Sequence, residues 1–373
     1  MQFQNARIFT GSGFRRGGFS VEDGIFTRLR FDAAEEGVDL NGARVIPGLI
    51  DIHTHGNSGA DFSDGEEEGL HKMGRFCAQN GVTAFAPASM TLPYETLEKA
   101  FGTAAAYVRN RSEDEARLIG IHMEGPFLSE TKKGAQNGAY LRAPDWEAFT
   151  RLYESCGGLV RFVDLAPELA GAEAFAARAS RLCTVSVSHT AADYETACRV
   201  LDAGASHLTH LFNAMPGIHH RHPGPICAAS ERENVYAELI CDGLHVHPSA
   251  VRAAFKLFPG RICLVSDALR CAGMPEGEYE LGGQRVFRKG GIARLADGTI
   301  AGAAANLYDG LVNAIRFGVD PCEAIRAATC NNARQAGCLD RLGSIEEGKC
   351  ADFIICGEGW ERRAVYLGGN RVG

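Results

Sequence analysis

From Leu49 onward the chain repeats one pattern: a short apolar run, then an amphipathic segment of helical period, then another apolar run. Eight such runs can be counted, Leu49–His53, Val82–Ala88, Leu118–Met123, Leu159–Leu165, Thr184–Ser188, Ser206–Leu211, Val235–Cys241 and Ile262–Ser266. Runs of this length buried on both faces are what parallel strands need, and helical crossovers are what joins them. The segments Tyr94–Arg109, Glu168–Arg181, Asp193–Ala203 and Pro248–Leu257 supply crossovers, and Leu307–Phe317 and Cys322–Gly337 complete the outer layer. Eight strand–helix units predict an α/β fold of (β/α)8 TIM-barrel type.

The remainder reads differently. Residues 1–48 alternate around glycines as short strands and turns (Ala6–Thr10, Phe19–Arg30), and residues 346–373 do so again (Ala351–Ile355, Ala364–Val372). We expect both ends to pair into one small β-sandwich domain beside a barrel of residues 49–345. The Gly-rich stretch Leu281–Gly291 predicts a β-insertion at the rim, near 276–300. A length of 373 residues accommodates one barrel and one small satellite.

Composition narrows the functional classes. A net charge of −8 gives no electrostatic case for nucleic acid or a membrane surface. The 13 cysteines are scattered and include no Cys-x-x-Cys pair, which reads as reduced thiols rather than a zinc ribbon or disulfide framework. The N-terminus has no basic segment followed by an apolar run, and no stretch reaches membrane-spanning length, so we expect a cytoplasmic protein.

Barrel enzymes carry their chemistry at the C-terminal ends of the strands. Here those ends bear His53 and His55, Glu124, His189, His210, Asp242 and Asp267. In extended chain, positions i and i+2 share a side, so His53 and His55 can face one point. Imidazole nitrogen and carboxylate oxygen suit zinc and other divalent first-row ions. A single histidine at a strand end is commonly structural, but this many candidate ligands at one face predict a metal site. His122, two residues before Glu124, is expected to be supporting or core.

Val45–Gly56, His122–Phe127, Ser188–Thr190, Thr209–Pro216, Cys241–His247 and Leu264–Ala268 resemble, in order, the N-acetylglucosamine-6-phosphate deacetylases of the amidohydrolase superfamily. Glu124-Gly-Pro and His210-Leu-Phe-Asn-Ala-Met-Pro216 are specific to them, whereas the His-x-His motif alone would point only to the superfamily. The resemblance implies a metal held by Glu124, His189 and His210, and a second site from His53 and His55 with Glu124 bridging. It implies one or two divalent ions, zinc first, with iron or another first-row metal as alternatives. Asp267 would be general base and then general acid for a metal-activated water.

The resemblance also places the substrate. Ala135, Asn213, Ala214, Ile300, Ala301 and Gly302 would approach the sugar. Arg221 and His245 would bind the phosphate, with Asp242 on the same wall, and an arginine fork suits phosphate. A homodimer is implied, because one phosphate ligand in this family can come from the neighbouring subunit. The chain departs from the family pattern at Gln136, where a carbonyl-polarising histidine is frequent; glutamine donates hydrogen bonds but carries no charge. His219, His220 and His222 around Arg221 read as exposed loop residues.

Two other readings compete with this one. Ring-opening amidohydrolases often bridge their metals with a modified lysine, but no lysine lies near these strand ends. A non-catalytic phosphosugar-binding protein predicts a broken site, yet Glu124, His189, His210 and Asp267 are all present.

Overall fold

The computed structural model describes residues 1–31 and 37–373. Strands from both ends of the chain form one mixed sheet. Its order is Asn370–Arg371, Arg362–Leu367, Phe353–Cys356, Arg44–Pro47, Gln2–Phe9, Phe14–Glu22 and Ile25–Phe31, with Val38–Asp39 beside Gln2–Phe9. The two ends meet where Phe353–Cys356 runs antiparallel to Arg44–Pro47, with Ile354 opposite Ile46. The sheet curls: Phe26 N donates to Lys349 O and Ala351 N to Gly24 O.

Strand alternation gives this junction two buried faces. Phe353 and Ile355 pack with Phe3, Phe19 and Phe26 in the core of the terminal sheet, whereas Ile354 and Cys356 enter the main core. Val45 and Ile46 divide in the same way. Phe353 stacks on Tyr366 at 4.5 Å between ring centroids and meets Phe19 edge-on at 5.1 Å.

Each of the eight apolar runs contains parallel strand: Leu49–Thr54, Val82–Pro87, Arg117–Leu118 with Ile121–Met123, Val160–Leu165, Thr184–Val187, His207–Leu208, Tyr236–Ile240 and Ile262–Val265. Neighbours in sequence are neighbours in space. The third run is split. Arg117–Leu118 pairs back to the second strand and Ile121–Met123 forward to the fourth. Gly120 permits the sidestep, since a Cβ there would lie 2.1 Å from Arg161 Cγ. The eighth strand returns to the first: Asp267 N donates to His53 O at 2.9 Å, and the buried Asp51 accepts from Ser266 Oγ at 2.5 Å.

Several boundaries differ from expectation for local reasons. The sixth strand stops at Leu208 rather than Leu211 because His210 takes a left-handed backbone, φ +29°. The helix expected over Glu168–Arg181 is Ala172–Ala179; Glu168 instead accepts from Thr190 Oγ1 and Ala191 N. The segment Cys322–Gly337 is two helices, Pro321–Ala327 and Cys330–Gln335, not one. The break frees Ala328 O to accept from Ile50 N, and lets Asn332 Nδ2 reach Ile50 O and Leu264 O, tying this segment to the first and eighth strands. The rim insertion is a four-stranded antiparallel sheet, Gly277–Leu281, Gln284–Lys289, Ile292–Leu295 and Ile300–Ala303. Among the described residues, no helix is long and apolar enough to cross a membrane.

Candidate active site

The strand ends converge on Glu124, which is almost wholly buried. Glu124 Oε1 lies 3.1 Å from His189 Nε2 and 3.2 Å from His210 Nε2, and those two nitrogens are 3.1 Å apart. Glu124 Oε2 lies 3.1 Å from His55 Nε2. His53 Nε2 stands 3.7 Å from both Glu124 Oε1 and Asp267 Oδ1, and Asp267 Oδ1 is 3.4 Å from His55 Nε2. The i, i+2 spacing therefore does turn both rings of the first strand to one point. Two donor sets share Glu124: Glu124, His189 and His210, and His53, His55 and Glu124.

The partners of the opposite ring nitrogens fix what these imidazoles offer. His189 Nδ1 meets Lys132 O at 2.8 Å, His55 Nδ1 meets Ala88 O at 3.2 Å, and His53 Nδ1 meets Glu238 Oε2 at 2.8 Å. Each of those oxygens only accepts, so each Nδ1 must carry the proton and each Nε2 of a neutral ring must present a lone pair. Lone pairs aimed at a carboxylate repel it unless positive charge lies between them. His53 Nε2 is buried and has no hydrogen-bond partner among the described residues. The donor chemistry thus fits a divalent cation in either set.

Electrostatics makes the same demand. Burial lowers the proton affinity of His55, but Glu124 and Asp267 outweigh it and lift its pKa well above the usual imidazole value. His210 is likewise pulled down by burial yet raised to about 9 by Glu124, Asp267 and Glu238. Burial pushes Glu124 upward, and His55, His189 and His210 overcome it and hold the carboxyl well below its usual range. Two rings, His55 and His210, shifted toward the cationic form beside one anion make a site that stabilises positive charge, which a metal ion would supply in place of protons.

Three of these residues sit in backbone that L side chains rarely adopt: φ is +40° at His189, +29° at His210 and +47° at Asp267. Such conformations cost about 1–3 kcal/mol each and persist where surrounding contacts enforce them. Here Asp267 N and O bond His53 O and Ala303 N, and His210 N bonds Glu238.

A cavity of about 410 Å³ opens over this cluster, within the range of small-molecule sites. Its walls include Ala135, Gln136, Asn213, Ala214, His245, Ile300, Ala301 and Gly302, all expected from the sequence, together with Met90, Thr131, Lys132 and Thr299, which were not. Gly302 has to be glycine: its φ is +152°, and a Cβ would sit 2.8 Å from Leu269 Cδ2. Two of the residues expected to contact substrate lie outside the lining. Asp242 stands behind His245, accepting from its Nδ1 at 2.6 Å and from its backbone N at 2.9 Å. Arg221 is exposed on a turn, where its guanidinium bonds the ring of His220.

His122 is a supporting residue rather than a ligand, because both its ring nitrogens are taken, Nδ1 by Ile52 O and Nε2 by Asp164 Oδ1, each at 2.9 Å. Burial lowers its pKa, but Asp164 and Glu238 raise it to about 9, in keeping with two ring nitrogens that both face acceptor oxygens. Sequence reasoning missed Glu238, Asp51 and Asp164. The available signal was an acid inside an otherwise apolar strand, where burial is costly without a partner.

The model of the amidohydrolase family matches residues 44–372. The N-acetylglucosamine-6-phosphate deacetylase of Bacillus subtilis is 37% identical over 332 residues, covering 87% of this chain and 84% of its own. The N-acetylgalactosamine-6-phosphate deacetylase of Escherichia coli O157:H7 is 34% identical over 328 residues, covering 87% of each. Among solved structures, an N-acetyl-D-glucosamine-6-phosphate deacetylase mutant from Mycobacterium smegmatis, in complex with N-acetyl-D-glucosamine-6-phosphate, superimposes with a TM-score of 0.95 at 31% identity, covering 100% of this chain and 99% of that one.

Proposed function

The chain belongs to the amidohydrolase family and, within it, to the N-acetylglucosamine-6-phosphate deacetylases, and we propose from its own site how it performs that reaction. It hydrolyses the acetamide of N-acetyl-D-glucosamine 6-phosphate to D-glucosamine 6-phosphate and acetate. The observation that carries the assignment of roles is the position of Asp267, its Oδ1 3.4 Å from His55 Nε2 at the mouth of a Glu124-centred imidazole cluster.

Glu124, His189 and His210 would hold one divalent ion, and His53 and His55 with Glu124 a second; zinc suits these donors, as do iron and other first-row metals. Bound there, such an ion acidifies water and polarises a carbonyl. Asp267 takes the proton of the attacking water as the C–O bond forms at the acetyl carbon. It then delivers that proton to the sugar nitrogen as the C–N bond breaks, so one carboxylate serves both steps. The pKa of Asp267 supports the base role: burial raises it, but His55 and His53 more than compensate and keep it below the usual carboxylate value.

Ala135, Gln136, Asn213, Ala214, Ile300, Ala301 and Gly302 surround the sugar in this reading. His245, held by Asp242, faces the phosphate. The family resemblance assigns Arg221 to the phosphate as well, and the same resemblance supports a homodimer. We read the eight parallel strands as a closed (β/α)8 barrel spanning 49–345, and residues 1–48 and 346–373 as one β-sandwich domain; the contacts of Asp267 with His53 and of Ile354 with Ile46 support both.

Acetate release from N-acetyl-D-glucosamine 6-phosphate, with metal analysis of the same preparation, tests the assignment. The galactosamine epimer belongs in the same assay, since the Escherichia coli relative acts on it by name. Turnover of neither sugar by metal-loaded protein would overturn the reading.

A further inference from the structure

Glu238 lies in the middle of the strand Tyr236–Ile240, has no exposed surface and does not line the cavity. A buried carboxylate is costly unless hydrogen bonds and opposite charge meet it. Here four nitrogens do. Oε2 accepts from His53 Nδ1 at 2.8 Å and from His210 N at 3.1 Å. Oε1 faces His207 Nε2 at 3.3 Å and His122 Nδ1 at 3.7 Å.

Two of these contacts reach the active site from below. The bond from His53 Nδ1 places the ring proton on the far side, so Nε2 must offer its lone pair to the centre. That Nε2 is the buried atom without a hydrogen-bond partner, 3.7 Å from Glu124 Oε1 and from Asp267 Oδ1. The negative charge on Glu238 also makes the imidazole a better donor. The bond from His210 N pins a residue whose backbone is strained at φ +29°. One oxygen therefore holds His53 of one donor set and His210 of the other.

We propose that Glu238 is a positioning residue for the second metal ion, fixing the tautomer and orientation of His53 so that the His53–His55 set can bind a divalent cation. The inference rests on the reading above that His53 and His55 hold such an ion.

Zinc titration of the metal-stripped full-length protein against a competing chelator, with thermal unfolding of the same metal-free samples, is the test. The wild type should take up two ions. Glu238→Gln keeps the shape of the side chain and removes its charge. It should weaken the second ion by about 10–100-fold and leave the first much less affected. A merely structural role would lower the unfolding temperature without changing the ratio of the two affinities, and that outcome overturns the proposal. His55→Ala separates the two levels of argument. If the wild type binds one ion and His55→Ala still binds one, the second site itself is wrong. If the wild type binds two, His55→Ala one, and Glu238→Gln two with unchanged affinities, only the role of Glu238 falls. Should Glu238→Gln not fold, Glu238→Asp takes its place with the same criterion, since the shorter carboxylate withdraws from His53 while keeping the charge.

Discussion

Gln136 donates its side-chain amide to Glu124 Oε2 at 2.6 Å. Its own carbonyl accepts from Thr91 N at 2.7 Å, so the carboxamide is committed at both ends and nearly buried. At this position the chain has a clamp on the central carboxylate. Gln136→Ala leaves Thr91 N without that partner and loosens Glu124. Stability should fall by about 1–3 kcal/mol, and kcat by about 10–100-fold, as for other groups that orient metal ligands. Thermal melts and initial rates measure the two; a lower melting temperature with unchanged kcat would limit Gln136 to a packing role.

Asp267→Asn keeps the size of the side chain and removes the base. Turnover should drop by about 10²–10⁴-fold, the usual range for losing a positioned general acid–base, while bound metal remains at the wild-type level. Elemental analysis beside the rate assay decides it, because metal lost in parallel with activity would make Asp267 chiefly a ligand.

His210→Ala removes a nitrogen 3.2 Å from Glu124 and 3.1 Å from His189. We expect metal content and activity to be lost together. An active variant with full metal would rule out the Glu124–His189–His210 set.

Asp242→Ala should act through His245, whose ring it fixes. The expected signature is a raised KM for the 6-phosphorylated sugar with a much smaller change for an unphosphorylated analogue. Arg221→Ala should behave alike if its guanidinium reaches the phosphate in the assembled protein. Equal effects on both sugars would remove either residue from the phosphate site.

Much of this was legible in the sequence because barrel-type chemistry announces itself where apolar runs stop. Glu124, His189 and Asp267 each follow such a run directly, His53 and His210 stand within the last two residues of theirs, and all five lie at the cluster. What lay inside the runs was harder to read. Glu238 occupies the same strand as Ala237 and Leu239, and only the opposed His53 and His207 explain an acid there. The helix break at Ala328–Thr329 was invisible for a related reason. The segment is helical in period, and what interrupts it is a distant backbone donor, Ile50 N. Arg221 shows the converse limit: a motif fixes its place in the chain, but an exposed side chain takes its direction from whatever packs against it.

The strand Phe353–Cys356 belongs to two cores at once, and that governs the order in which the chain can be completed on a ribosome. Arg44–Pro47 leads directly into the strand that bears His53, yet its partner emerges only after all eight parallel strands have been made. Until then one edge of Arg44–Pro47 is open, and Phe3, Phe19 and Phe26 lack the ring of Phe353 that packs among them. Open edges and uncovered aromatics are what holdase chaperones recognise and what aggregation exploits. The terminal sheet cannot close before residue 353 is made, and a chain halted earlier keeps that edge and those rings uncovered, however complete its set of metal ligands.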